Sequence, residues 1–190
     1  MNYPINYRQL IAENTLSNKL KLYNDSLQDD VTLRKLFVSN RTSYKISQNN
    51  VGLFSVFDNY DLFQVLPLSN EEKNQSVIMT KDMEILPVGS SAICTKDEFM
   101  NNFDIFTEGI FECMNWDNLF LAGGSVLAML TKFTTETNEQ KRKYYHDQKF
   151  AKSDMDLYVY GLNEQQSTKK MYEIYENIKK VLPCECTCVR

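Results

Sequence analysis

Apolar residues in the first half of the chain follow a helical spacing at first and then form short runs. Residues 10–23 carry leucine, isoleucine and tyrosine at mostly helical intervals, and a second helix is predicted after the acidic pair Asp29 and Asp30, which would cap it. Short apolar runs bounded by polar clusters then predict strands at 51–57, 62–66, 76–79 and 83–88. We therefore expect a small α+β module in the first half.

The second half begins after a glycine-serine segment at 89–91, which indicates a boundary between domains. Thr95 and Glu98 then have the spacing of a capping box, in which each side chain bonds the backbone amide of the other residue at the start of a helix. The pattern beyond them predicts, in order, a helix carrying Phe99, Phe103 and Phe106, a strand at 119–122, a helix at 125–130, a strand at 156–160, a helix at 163–181 and a strand at 184–189.

This order of elements predicts an α+β fold in two domains. Residues 1–92 would form the N-terminal α+β module, whose role the pattern does not indicate. Residues 93–190 would form a mixed small sheet with flanking helices, because strands and helices alternate there. The residues with candidate chemistry fall in this second domain.

Composition limits the class of protein further. The 190 residues are 43% hydrophobic and 24% charged, which supplies enough apolar material for a packed core. The net charge of -4 argues against a protein that binds nucleic acid over its whole surface. No apolar run approaches the roughly 20 residues that span a bilayer, and five cysteines, an odd number, favour reduced thiols. We expect an intracellular, cytoplasmic protein with no membrane partner.

Two glycines and a serine at 123–125 separate a predicted strand from a predicted helix. Glycine lets the backbone turn sharply and approach a ligand closely. The free amides at the start of the helix and the Ser125 hydroxyl suit a phosphate. Gly123, Gly124 and Ser125 are therefore candidates for binding a triphosphate, and the alternative is a simple tight turn.

Asp154 and Asp156 stand two residues apart at the start of a predicted strand. Alternate residues of a strand project to the same face, so the two carboxylates could hold one or two Mg²⁺ or Mn²⁺ ions. Such ions align an attacking hydroxyl with the pyrophosphate that leaves. The alternative is a pair of solvated acids at the entrance to a strand.

The two motifs together are more specific than either alone. A strand, Gly123-Gly124-Ser125, a helix and then Asp154-Met155-Asp156 before an apolar strand resemble the nucleotidyltransferase superfamily with the DNA polymerase β-like fold, which includes poly(A) polymerases and CCA-adding enzymes. The amino-acid sequences of 120–127 and 153–162 are similar to those of nucleotidyltransferase-like proteins of protists, fungi and large DNA viruses. The resemblance, which covers about half of the chain, implies that Gly123, Gly124 and Ser125 bind the triphosphate. It also implies that Asp154 and Asp156 are the catalytic and metal-binding residues.

The chain departs from the family pattern in two places. Between Ser125 and Asp154 it is longer than the single short helix that is usual, so 131–152 is expected to contain an insertion. The family's third catalytic carboxylate lies on a later strand, and Glu185 is the only acidic residue of the last segment. Either Glu185 approaches the metals, or the chain is a fragment whose sheet is completed by a C-terminal continuation or a partner chain.

Three further features have both a structural and a functional interpretation. The basic and aromatic stretch 141–152 is either a solvated loop or a contact for nucleic acid. The cysteines within 184–188 fit a strand of small residues better than a zinc site. Trp116 is predicted to anchor the packing of the next strand, and His146 to be a loop residue rather than a metal ligand or general base.

The resemblance implies a Mg²⁺-dependent transfer of a nucleoside monophosphate from a nucleoside triphosphate to an acceptor hydroxyl. The acceptor could be RNA, a protein or a small molecule, and no residue decides between them. The alternative function is that of a catalytically silent or incomplete nucleotidyltransferase fold, which would act as a binding or scaffold module.

Overall fold

The structure is a computed structural model that describes residue 8 and residues 12–39, 55–74, 86–133 and 137–182. The described part is mostly helical and contains a two-stranded antiparallel sheet, so the broad α+β class is confirmed. The chain divides into two compact units, Met1–Ala92 and Ile93–Arg190. In the described ranges, no helix combines the length and the apolar character needed to cross a membrane.

The first unit contains one long helix where the sequence pattern predicted two. Helix α1 runs without a break over Leu16–Ser39. Asp30 does not cap a new helix, because its carboxylate accepts a hydrogen bond from the Arg34 guanidinium one turn later at 2.8 Å. No Gly or Pro lies between 16 and 39 to end the helix, so the acidic pair is accommodated within it.

The predicted strands of the first unit are not found where the structure describes the chain. Tyr60–Phe63 forms a turn of 3-10 helix, and Gln64 makes only an isolated bridge with Ser91. A short apolar run cannot be distinguished from a helical turn by periodicity alone, which explains the wrong prediction at 62–66. Residues 55–58 and 86–88 likewise form turns or irregular chain, and the remaining parts of the predicted strands lie outside the described residues. Helix α2 is the single turn Asn70–Lys73.

The second unit begins with helix α3, Lys96–Thr107, and its predicted capping box is confirmed. Thr95 Oγ1 accepts a hydrogen bond from the Glu98 amide at 3.2 Å, and Glu98 Oε2 accepts one from the Thr95 amide at 2.7 Å. The helix ends at Glu108, which has a left-handed backbone conformation. Its inner face carries the buried Phe106.

Strand β1, Leu119–Ala122, pairs antiparallel with strand β2, Asp156–Val159. Helix α4, Gly124–Leu130, follows β1 directly, and helix α6, Glu164–Val181, follows β2 with Asn163 as its N-cap. These bounds agree with the predicted elements to within one residue. The described pairing is antiparallel, whereas the sequence pattern predicted a mixed sheet, and the predicted strand at 184–189 lies outside the described residues.

The segment between α4 and β2 is part of the core. It contains helix α5, Asn138–Lys143, and a π-helical turn, Tyr144–Gln148. Tyr145 is fully buried, and its ring lies 5.1 Å from that of Phe106, edge to face. The prediction of a solvated basic loop is therefore wrong at Tyr145, and this ring is not accessible for stacking on a nucleic-acid base.

Two apolar clusters hold the second unit together. The first joins α3, α4 and the π-helical turn through Phe106, Ala128, Met129 and Tyr145. The second lies beneath the sheet and contains Phe111, Met114 and Leu119, with Leu157, Val159, Ile174 and Ile178 packed against it. Helix α6 thus covers one face of β2, and the residues of β2 that alternate with these point away from the cluster.

Candidate functional site

The turn after β1 and the start of β2 lie against each other. Ala122, the last residue of β1, is the register partner of Asp156, the first residue of β2. Gly123 follows with a φ of 86°, a conformation that L side chains rarely adopt. A β carbon placed on Gly123 would collide with Oδ2 of Asp156. The backbone conformation therefore favours glycine at this position, and a side chain here would displace the exposed Asp156 carboxylate.

The two predicted metal-binding carboxylates share the exposed side of the segment that leads into β2. Exposure alternates from Ser153 to Tyr160, with Asp154 and Asp156 exposed and Met155 between them partly buried. Asp154 lies just before the strand rather than within it. Residues two apart in an extended chain are separated by roughly 7 Å, a distance over which two carboxylates can act on one ligand.

The second glycine of the turn is close to the same segment. A β carbon on Gly124 would lie 4.0 Å from Ser153 Oγ, which is ordinary contact distance. The Ser153 amide donates to the Phe150 carbonyl at 2.8 Å, and this bond fixes the turn before the carboxylates. The structure thus brings Gly123 and Gly124 together with the segment that carries Asp154 and Asp156.

Ser125 differs from the other predicted site residues because it is fully buried. Its hydroxyl donates to the Ala122 carbonyl at 3.3 Å and so links the end of β1 to the first turn of α4. In this conformation the hydroxyl stabilises the turn and does not face solvent. Direct contact between the Ser125 hydroxyl and a phosphate would require a rearrangement of this turn.

A divalent metal ion is the cofactor implied by the resemblance, and the fit can be judged from the donors present. Within the described ranges, no group of three or more His, Cys, Asp or Glu residues is arranged to hold a metal. Mg²⁺ commonly keeps several waters and binds through one or two carboxylates plus substrate phosphates. Asp154 and Asp156 fit that mode, in which the nucleotide completes the coordination. Glu185 and the cysteines of 184–188 lie outside the described residues.

Trp116 and His146 have structural contacts in the second unit. The Trp116 ring packs edge to face against Phe103 at 6.0 Å and against Phe111 at 5.6 Å, which agrees with the predicted anchor. His146 lies 3.4 Å from the Ile105 carbonyl through Nε2 and 3.8 Å from the Glu108 carboxylate. Both residues therefore contact α3 or the segment that follows it.

An aromatic surface that the sequence pattern had not predicted lies beside the carboxylates. Phe120 and Tyr158 are register partners with stacked rings, 5.1 Å apart and inclined by 12°, and the Phe120 ring also lies 5.7 Å from that of Tyr160. The exposed fractions of these three residues are 46%, 50% and 51%. The signal was present in the sequence as the alternation of Asp154, Asp156, Tyr158 and Tyr160. We call Phe120, Tyr158 and Tyr160 the aromatic face of the sheet.

Known proteins give no independent indication of function. No protein family, curated protein or solved structure matches this chain. A function must therefore be inferred from the residues of this chain and their geometry.

Proposed function

We propose that the second unit transfers a nucleoside monophosphate from a nucleoside triphosphate to an acceptor hydroxyl, with Mg²⁺ or Mn²⁺ as cofactor. The observation that carries this proposal is the placement of Asp156 Oδ2 in the space that a side chain on Gly123 would fill. A glycine turn and a carboxylate that would bind a metal ion are then within reach of one triphosphate.

The residues of the site have separable roles in this proposal. The backbone at Gly123 and Gly124, which carry no side chain of their own, would approach the phosphates beside the Asp156 carboxylate. Asp154 and Asp156 would hold the metal ion through oxygens that are exposed on one side of the chain. When bound, Mg²⁺ would neutralise charge on the phosphates and orient the leaving pyrophosphate.

The transfer itself is a displacement at the α-phosphorus. The acceptor oxygen forms a bond to that phosphorus as the bond to the pyrophosphate oxygen breaks. The hydroxyl proton is released to water, which reaches this side of the sheet. What the chain supplies is positioning, because two reactants held in line react far faster than free ones. The acceptor could be RNA, a protein or a small molecule.

A titration with nucleotide tests the site without a choice of acceptor. The full chain is titrated with ATP, GTP, CTP and UTP, with and without Mg²⁺, by isothermal titration calorimetry. We expect binding that depends on Mg²⁺ in the parent and is lost in Asp154→Asn/Asp156→Asn. The matched control is Asp104→Asn/Asp147→Asn, which removes two other exposed carboxylates of the same unit. Equal binding by the parent and the Asp154/Asp156 variant would refute the site.

The second candidate function is a binding or scaffold module with a silent nucleotidyltransferase fold. Two observations favour it: the described residues offer two grouped carboxylates rather than three, and Ser125 is buried. Turnover separates the two functions. Pyrophosphate release from a bound nucleoside triphosphate, with candidate RNA or protein acceptors present, supports the transferase. Mg²⁺-dependent binding without any pyrophosphate release supports the module.

A further inference from the structure

The aromatic face lies on the same exposed side of the sheet as the carboxylates. Phe120 precedes Ala122 by two residues, and Tyr158 follows Asp156 by two residues, so each pair shares a strand face. The register places Phe120 opposite Tyr158 and Ala122 opposite Asp156. The Phe120–Tyr158 pair and the Asp156 carboxylate are therefore neighbours on one face of the ladder, roughly 7 Å apart along the strand.

We propose that this aromatic face binds the base of the nucleotide whose phosphates reach the Asp154 and Asp156 end. The proposal rests on the proposed function and adds to it the part of the site that holds the base. Exposed rings next to a pair of carboxylates form a surface with two chemically distinct ends. A nucleotide has matching ends, since its base is a flat apolar ring and its phosphates bind carboxylates through a divalent cation.

The dimensions of the ladder agree with this ligand. The Leu121–Leu157 pair separates the rings from Asp156 at the start of β2, and a single ribose separates a base from its phosphates. The residue between Phe120 and the glycine turn on this face is Ala122, whose methyl group leaves space beside Asp156. A larger side chain at 122 would occupy the position where the sugar lies.

Chemistry also favours a base over a wholly apolar protein segment. Such a segment, if it covered the rings and extended over Asp154 and Asp156, would take water from these carboxylates without supplying a cation or a hydrogen-bond donor. A nucleotide avoids this cost because its phosphates and their metal ion interact with the carboxylates. Stacking on aromatic rings tolerates any base, so the site should discriminate little among ATP, GTP, CTP and UTP.

A pair of ligands that differ only in the nucleoside tests the proposal. Mg²⁺ complexes of ATP and of tripolyphosphate are titrated into the full chain and into Phe120→Leu/Tyr158→Leu, with Tyr172→Leu as the control because Tyr172 is an exposed tyrosine on α6. We expect the double variant to bind ATP on the order of tenfold more weakly and tripolyphosphate unchanged. Unchanged tripolyphosphate binding also shows that the variant is folded.

Three outcomes with the parent and the double variant would overturn the proposal. If the double variant binds Mg²⁺-ATP as the parent does, the aromatic face does not hold the base, although the phosphate site stands. If the parent binds neither Mg²⁺-ATP nor adenosine, both the proposed function and the base site fail. If sedimentation velocity shows a dimer of the parent that the double variant does not form, a second copy of the chain covers the rings.

Adenosine binding by the parent that is lost in the variant supports the base site even without a phosphate site. If Trp116 fluorescence shows that the double variant is unfolded, Tyr160→Leu replaces it in the same titrations. Weaker ATP binding by Tyr160→Leu than by the parent would then support the proposal, and equal ATP binding would overturn it.

Discussion

Oδ2 of Asp156 occupies the space that a β carbon on Gly123 would take. The two residues are separated by more than thirty positions in sequence, and the antiparallel register of β1 and β2 brings them together. In the proposed function, the turn would approach the phosphates and the carboxylate would bind them through a divalent cation. This contact therefore provides the most direct test of the site.

Gly123→Ala should destabilise the second unit by about 1 kcal/mol or more and displace the Asp156 carboxylate, because alanine is strained at positive φ and its methyl group meets Oδ2. Urea unfolding followed by the fluorescence of Trp116, the single tryptophan, measures the stability of this unit. Mg²⁺-ATP titration measures the site, where we expect binding at least tenfold weaker. The control is Gly109→Ala, which has a φ of 77° and no neighbouring atom within 4 Å of its β carbon. It should lose stability alone, and equal binding losses in both variants would contradict the role of the contact.

Asp154→Asn/Asp156→Asn should leave the thermal unfolding midpoint unchanged or slightly raised. The two like charges share one exposed side of the chain, so their removal relieves repulsion without opening a cavity. Differential scanning calorimetry of the parent and the variant measures this. A clear fall in the midpoint would show that the carboxylates stabilise the fold, which would make any loss of nucleotide binding in the variant uninformative about the site.

Helices α3, α4 and α6 were predicted from local signals, whereas α5 was missed although Thr137 and Gln140 also form a capping box. A capping box involves only four consecutive residues, as in the pairs Thr95 with Glu98 and Asn163 with Gln166. The first unit shows the limit of such signals. Asp29 and Asp30 resemble a cap, but only the pairing of Asp30 with Arg34 in the folded helix shows that they lie in its interior.

Long-range packing explains what the sequence could not predict. Tyr145 lies in a polar, basic stretch that is typical of a surface loop, yet it fills the space between α3 and α4. The candidate site was predicted from residue types, since glycines and paired acids indicate chemistry without any knowledge of the fold. Its register, the burial of Ser125 and the ring stack of Phe120 on Tyr158 depend on how β1 meets β2. No local pattern determines that pairing.

Asn102→Ala should destabilise the second unit by about 2 kcal/mol, because Asn102 is a buried link between three elements. Its Nδ2 donates to the Met129 carbonyl at 2.9 Å, and its Oδ1 accepts from Lys141 Nζ at 3.0 Å. Removal leaves the lysine ammonium without this acceptor. Urea unfolding by Trp116 fluorescence gives the loss, and Asn101→Ala, at the less buried neighbouring position, should change stability by less than about 0.5 kcal/mol. Similar losses in both variants would contradict the importance of the buried link.

The capping box of α3 should make the stability of this helix depend on pH in the acidic range. The Thr95 backbone amide donates to Glu98 and holds the pKa of that carboxyl below its ordinary value, with the Thr95 hydroxyl adding to the effect. A carboxyl whose pKa is lowered by folding contributes stability that is fully present above its unfolded pKa of about 4.3. That contribution is lost as the pH falls through the lower folded pKa. Glu98→Gln keeps a side-chain oxygen that can accept the same hydrogen bond but removes the titration.

Hydrogen exchange of the α3 amides between about pH 5 and pH 3 measures the contribution, after correction for the intrinsic pH dependence of exchange. In the parent, the protection of these amides should fall with the pH over this range, whereas in Glu98→Gln it should start slightly lower and change less. Glu112→Gln, which removes an exposed carboxyl outside the helix, should follow the parent. If Glu98→Gln and the parent lose protection in parallel, the acid sensitivity of α3 comes from other carboxyls, and the capping box stabilises the helix through its hydrogen bonds without a contribution from the charge of Glu98.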